Sequence, residues 1–370
     1  MITDYAQLQG HVLCAQDFVA LAQSKLEPGL FAYLSGGSGQ EQALQRNLAA
    51  FAQAQLQPNS LENIRHGHSD WQLDATRFSA PIFLAPVAHQ GLVHPHGELA
   101  CAQAAEAMRQ GMLLSTLSSF GLEDVAETAP QGWKAFQLYH QPRLEDSLDL
   151  IHRAKQAGYQ RLVITVDAPI QQVSLQARRL GFSLPSGTPV NLQTYSVNPI
   201  ELAANQSVIF QGFMAHALNW EILERLVEYS HAQALPVWIK GVLAPHQAVR
   251  LQKMGVEGLI VSNHGGRSLD KAPSSLSALP AIRQAVGNKM LLLLDSGIHS
   301  GQDIFVALAN GANAVLIGRL QIYALAVAGA LGVAHLLKLL TEELQLCMAL
   351  CGCDTLDSIQ PHLLWEPSHV

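Results

Sequence analysis

The stretch VWIKGVLAPHQAVRLQKMGVEGLIVSNHGG, residues 237–266, decides the fold. It opens on a short apolar run, Val237–Gly241, and closes on a second, Gly258–Ser262. Between them His246–Met254 has helical periodicity and stops at Gly255, where a helix C-cap favours glycine. Neither run alternates with polar residues, which is how parallel strands covered on both faces read. The stretch is one strand–helix–strand unit.

The same rhythm extends both ways. Upstream lie Pro81–Ala88, Met112–Leu117, Lys134–Tyr139 and Arg161–Val166; downstream lie Met290–Leu294 and Ala314–Gly318. Helical segments such as Leu144–Ala157 separate them. Eight strand–helix units predict an α/β fold, a closed (β/α)8 TIM barrel, with an open doubly wound sheet as the alternative. All 370 residues are expected in a single domain, with 1–80 as an N-terminal helical extension containing a helix over Gln40–Gln55 and a turn at Ser35–Gly39. The interval 168–236 after strand four breaks the rhythm. Its part Pro185–Ser207 holds Pro, Asn and Ser with little periodicity, which predicts a long loop that is either an active-site lid or a surface insertion.

Composition removes several classes. Net charge is −7 and no long basic run is present, so nucleic acid is not an expected partner. Charged residues make up 14%, below the roughly 25% of an average globular chain, which implies much buried surface and subunit contacts. The five cysteines, Cys14, Cys101, Cys347, Cys351 and Cys353, fit reduced thiols in a cytoplasmic setting. Cys351-Gly352-Cys353 lacks a second pair at zinc spacing, so no metal is expected. The N-terminus is polar and shows no signal peptide. The apolar run Ala324–Leu340 carries His335 and Lys338 and reads as a buried helix, not a membrane span.

In a barrel, chemistry sits at the C-terminal ends of the strands. Here those ends are polar or small: Pro86-Val87-Ala88, Ser118-Ser119, Gln137-Leu138-Tyr139, Thr165-Val166-Asp167, Lys240-Gly241, Ser262-Asn263-His264, Asp295-Ser296-Gly297 and Gly318-Arg319. Each has a plainer reading taken singly. Serine and threonine cap helices, Lys240 would serve as a solvated surface residue, and Asp270 would pair with Arg267. Their convergence on one mouth favours a site. The glycine-rich turns at Asp295-Ser296-Gly297 and Gly318-Arg319 follow strands seven and eight, where barrels bind phosphate, and Arg319 adds charge. Gln137, Thr165 and Lys240 suit the polar edge of a flavin. His264 is the residue type of a base working near neutral pH, and Arg267 can hold a carboxylate by two hydrogen bonds. Asp167 is placed to stabilise a protonated His264.

The segments FAYLSGGSG (31–39), APVAHQGLVHPHGE (85–98), LLSTLSSF (113–120), FQLY (136–139), ITVDAP (164–169), IKGV (239–242), IVSNHGGRSLD (260–270), LLDSGIHSGQD (293–303) and LIGR (316–319) occur in this order. Together they resemble the FMN-dependent 2-hydroxy-acid oxidase and dehydrogenase family, over about residues 25–358. The resemblance implies oxidation of a small-molecule 2-hydroxy acid to a 2-keto acid with FMN as cofactor. It implies that Pro86, Val87, Ala88, Ser118, Gln137, Thr165, Lys240 and Ser262 lie at the flavin ring, with Asp295, Gly297, Gly318 and Arg319 at its ribityl and phosphate. It implies Tyr33, Tyr139 and Arg267 as substrate ligands, and His264, Asp167 and Tyr139 as the catalytic set. A homotetramer is implied; whether electrons pass to oxygen, a quinone or a protein stays open.

Two positions depart from the family. Ser174 stands where a second substrate arginine is expected, with Arg178 and Arg179 one helical turn later, and His299 replaces a phosphate-side arginine. Loss of the second arginine predicts weak use of glycolate and lactate and better use of larger or less charged substrates, unless Arg178 or Arg179 substitutes. A non-carboxylate substrate and a degenerate, non-catalytic FMN-binding protein are the remaining alternatives.

Overall fold

The computed structural model describes residues 5–170, 174–185, 187, 189–195 and 201–365. Four helices lead in: α1 (Tyr5–His11), α2 (Asp17–Lys25), α3 (Pro28–Ser35) and α4 (Gln42–Gln53). An antiparallel pair follows, Trp71–Leu73 with Thr76–Phe78, which the purely helical expectation for this extension did not include. Its aromatic residues explain it. Phe78 and Trp71 pack on Phe83, and Phe78 also on Trp133, so the pair buries apolar surface against the barrel interior.

The barrel strands are β1 (Ile82–Leu84), β2 (Gly111–Ser115), β3 (Lys134–Leu138), β4 (Arg161–Thr165), β5 (Val237–Val242), β6 (Gly258–Val261), β7 (Leu291–Leu294) and β8 (Ala314–Ile317). They pair in parallel in sequence order, and β8 closes on β1. Every predicted strand is present, each within a few residues of its expected bounds, and the doubly wound alternative is excluded. One face of the strands fills the barrel with Phe83, Leu113, Ala135, Val163, Trp238, Ile260, Leu293 and Leu316. The other face packs on helices, which accounts for the absence of alternation in the sequence.

The covering helices are α5 (Gly97–Ala107), α6 (Leu122–Thr128), α7 (Leu144–Gln156), α8 (Leu175–Arg179), α9 (Trp220–Ala232), α10 (Pro245–Met254), α11 (Ser275–Val286), α12 (Gly301–Ala309) and α13 (Arg319–Leu350). Gly255 caps α10 at φ +91°. The apolar run 324–340 lies in α13, which is long and apolar enough to cross a membrane but is mostly buried.

Within the interval 168–236, residues 171–173, 186, 188 and 196–200 lie outside the described part. Within Pro185–Ser207 the described residues hold only a short 3-10 turn, Val190–Leu192, while the regular elements lie in the rest of the interval. It includes α8, a π-helical turn at Val208–Phe213 and α9, the helix that leads into β5. Asn191 anchors the segment from a fully buried position. Its amide donates to Ser118 Oγ (2.8 Å) and its oxygen accepts from the Leu122 N–H (2.9 Å).

Candidate active site

The strand ends converge on a cleft of about 1060 Å³, open to solvent. Eight of the twelve expected cofactor residues line it: Pro86, Val87, Ala88, Lys240, Asp295, Gly297, Gly318 and Arg319. So do the expected substrate ligands Tyr33, Tyr139 and Arg267, and the expected base His264, which also faces substrate. Ser118, Gln137, Thr165 and Ser262 do not line it. They are buried and hydrogen-bonded at the strand ends. Gln137 donates to Thr165 Oγ1 (2.9 Å) and accepts from Ser115 (3.2 Å), while Ser118 donates to the Phe120 carbonyl (2.7 Å).

Lys240 is not a solvated surface residue. It is buried, with Nζ 3.0 Å from Asp295 Oδ2 and donating to Ser262 Oγ at 2.9 Å. Burial disfavours its charge, but Asp295 and then Asp167 outweigh that and raise its pKa. A cation is thereby fixed at the centre of the mouth.

The turn after β6 is held by amides. Asn263 exchanges two hydrogen bonds of 2.8 Å with Asn47 of α4, and its oxygen accepts from the Gly266 N–H (3.0 Å). This clamp holds His264 at φ +60°, an uncommon conformation for a non-glycine residue that recurs at functional sites. His264 Nδ1 lies 3.0 Å from Asp167 Oδ1, and its Nε2 lies 3.4 Å from the Tyr139 hydroxyl. Burial pushes the Asp167 carboxyl up, but His264 and Lys240 together pull it below its ordinary value. Asp167 is thus an ionised acceptor that meets the ring through Nδ1, which leaves Nε2 on the side of Tyr139.

The arginines follow a different pattern from the one expected. Asp270 does not pair with Arg267. It accepts from the backbone N–H groups of Gln40 and Ala43 at the start of α4. Arg267 instead donates to the carbonyls of Tyr33 (2.8 Å) and Gly36 (3.1 Å), with its guanidinium 4.9 Å from the centre of the Tyr33 ring. Phe182, from the chain after α8, stacks on the same ring. Arg319 donates to Leu34 (3.1 Å) and Gly36 (2.8 Å). Among the described residues neither guanidinium reaches a carboxylate at ion-pair distance. Burial, and then Arg267, make the Arg319 charge costly. Because an arginine stays protonated, that cost is relieved by an anion and not by deprotonation.

The cleft fits a phosphate-bearing group. Two anion-seeking guanidinia, the start of α13 and the left-handed Gly297 (φ +97°) border one cleft. Gly265, at φ +65°, holds a conformation that favours glycine, and a Cβ there would press on the Arg319 guanidinium, 2.6 Å away. His299 also lines the cleft, with a pKa lowered mainly by burial.

Ser174 is buried, beside a second cavity that Arg267 and Asp167 also line, and its hydroxyl is engaged by backbone groups. Its hydroxyl caps α8 by accepting from the Ala177 N–H and donates to the Ala32 carbonyl, each at 3.2 Å. Arg178 and Arg179 are exposed and do not line the cleft. Two residues take roles that the sequence did not assign. Ser296, at φ +80°, bridges the Asp295 carboxylate (2.7 Å) and the Gly265 N–H (2.9 Å). Asn191 gave no local signal, because its partners are some 70 residues away.

The fold and this cleft define a flavin-dependent barrel enzyme. Residues 22–366 match the model of the FMN-dependent dehydrogenase family, and the chain belongs to that family. It is 51% identical over 348 residues to an L-lactate oxidase of Alicycliphilus denitrificans, covering 93% of this chain and 94% of that one. It is 40% identical to an L-lactate oxidase of a Roseobacter species, covering 98% and 97%. A crystal structure of mandelate oxidase with (S)-2-phenylpropionate superposes with a TM-score of 0.84 at 36% identity, covering 95% of this chain and 97% of that one.

Proposed function

We propose that this protein oxidises a short L-2-hydroxy acid of the lactate type to the 2-oxo acid, with His264 as base. The observation that carries the reading is the His264–Asp167 contact of 3.0 Å at the mouth of a cleft that also holds Arg267, Tyr33 and Tyr139. FMN, when bound, supplies the two-electron acceptor. Pro86, Val87, Ala88 and Lys240 would border its ring, and Gly297, Gly318 and Arg319 its phosphate. His264 Nε2 takes the substrate proton, and the ionised Asp167 balances the imidazolium that results. Tyr139, beside Nε2, orients the substrate hydroxyl. Arg267 exchanges its backbone carbonyl partners for the substrate carboxylate, and Tyr33 beneath it completes that end.

The L-lactate oxidase relatives support a short acid. The seating of Ser174 favours a second reading, in which larger or less charged 2-hydroxy acids do better, because a single arginine is left for the carboxylate. Loss of one charged hydrogen bond costs roughly 1.5–3 kcal/mol, about one to two decades in affinity. Anaerobic mixing of the FMN-loaded protein with L-lactate, glycolate and L-mandelate, watching the flavin bleach, tests both. Fastest bleaching by L-lactate, at a high KM, supports the first reading, and a preference for mandelate the second. No bleaching by any of the three refutes the function.

The same proposal includes a single-domain homo-oligomer, a tetramer by resemblance, in a cytoplasmic setting. Leu346 and Leu350, both exposed on α13, and five free thiols support it.

A further inference from the structure

The end of β5 carries an irregularity. Along β5 and β6, Lys240 stands opposite Ile260 and Val242 opposite Val261, so two steps on β5 match one on β6. Gly241 is the extra residue, a β-bulge in a parallel pair where bulges are rare. Its φ is +103°, a conformation L side chains rarely adopt. A Cβ built there would lie 2.4 Å from Asp167 Cγ and 2.7 Å from Asp167 Oδ1. Oδ1 is the atom that meets His264. Among the described residues Asp167 Oδ2 is buried with no hydrogen-bond partner, so the contact of Oδ1 with His264, the attraction of Lys240 and the space around the carboxylate set its place.

We infer that the Gly241 bulge is a positioning device for the proton-transfer pair: the missing side chain is the space into which the Asp167 carboxylate fits so that Oδ1 reaches His264. The bulge also lets one strand serve two purposes, with Lys240 directed to Asp295 and Ser262 and the next residue vacated for Asp167. Gly241 touches no reacting atom. It acts through Asp167, and the inference rests on the reading of His264 as base.

The test uses the full-length FMN-loaded protein and the variants Gly241→Ala, Asp167→Asn and their double. FMN content and the anaerobic rate of flavin reduction are measured across pH. The titratable and charged groups bordering the cleft with His264 are Tyr33, Tyr139, Lys240, Arg267, Asp295, His299 and Arg319, and all are retained. Gly241→Ala is expected to keep FMN and to lower the reduction rate on the order of 10²-fold, the effect of about 1 Å of misplacement. With Asp167 displaced, the imidazolium loses support, so the acid limb of the rate profile moves to lower pH, as in Asp167→Asn. In the Asp167→Asn background, Gly241→Ala should then cost no more than about twofold, the scatter expected without coupling. An unmoved acid limb, or a full additive loss in the double variant, overturns the inference. If Asp167→Asn itself leaves rate and profile unchanged, the base reading fails first.

Should Gly241→Ala fail to load FMN, Asp167→Gly and Gly241→Ala/Asp167→Gly decide the matter. A Cβ at 241 would meet the Asp167 Cβ (2.5 Å) as well as the carboxylate, so removing the whole side chain opens the space, and the double variant should load FMN as Asp167→Gly does. A double variant as defective as Gly241→Ala would assign the defect to the backbone conformation alone and overturn the inference.

Discussion

Arg267 and Arg319 share one acceptor, the carbonyl oxygen of Gly36, at 3.1 and 2.8 Å. Two like charges thus meet at the C-terminal end of α3, which favours cations but does not neutralise two of them. The arrangement prepares the cleft for two anions, one near each guanidinium.

Arg319→Met should therefore weaken FMN binding by about one to two decades, the value of a charged hydrogen bond of roughly 1.5–3 kcal/mol. Titration of apoprotein with FMN, followed by quenching of flavin fluorescence, measures this. An unchanged Kd would remove Arg319 from the phosphate site.

Ser174→Ala removes the N-cap of α8 and should lower stability by about 1 kcal/mol while leaving KM for the 2-hydroxy acid nearly unchanged. Arg178→Ala and Arg179→Ala should leave KM unchanged as well, since both side chains are exposed away from the cleft. A KM rise of a decade in either arginine variant, by steady-state assay, would show that this loop supplies the second carboxylate anchor after all.

The depressed Asp167 pKa has a stability consequence with a definite sign. A carboxyl whose folded value lies below its unfolded value of about 3.8 contributes stability that is fully present above that unfolded value. The contribution is lost as pH falls through the folded value. The carboxylate's part of the urea-midpoint difference between the parent and Asp167→Asn should thus shrink as pH falls below about 4. A difference that persists undiminished to pH 3 would contradict the ionised assignment.

The barrel was legible because the strands are short, mostly apolar runs without alternation, separated by helices with stop signals such as Met254-Gly255. The strand ends also pointed to the right mouth, since Lys240, His264, Asp295 and Arg319 are all consecutive with their strands. What the sequence did not show depends on partners distant along the chain. Asn191 reaches back to Ser118, Asn263 to Asn47, and the two arginines to the carbonyls that end α3. Arg267 beside Asp270 looked like an ion pair, yet the start of α4, remote in sequence, offers Asp270 better donors. The aromatic pair at residues 71–78 was missed because its strands are three residues each, too short for a period to register.

The central claim is that His264 takes the proton, and the rate of flavin reduction in His264→Ala tests it most directly. FMN-loaded His264→Ala and parent protein are mixed anaerobically with saturating L-lactate, and flavin bleaching is followed in a single turnover. The account predicts that FMN stays bound and that the rate falls on the order of 10²–10⁴-fold, the usual cost of losing a general base. Bleaching at close to the parent rate would contradict it.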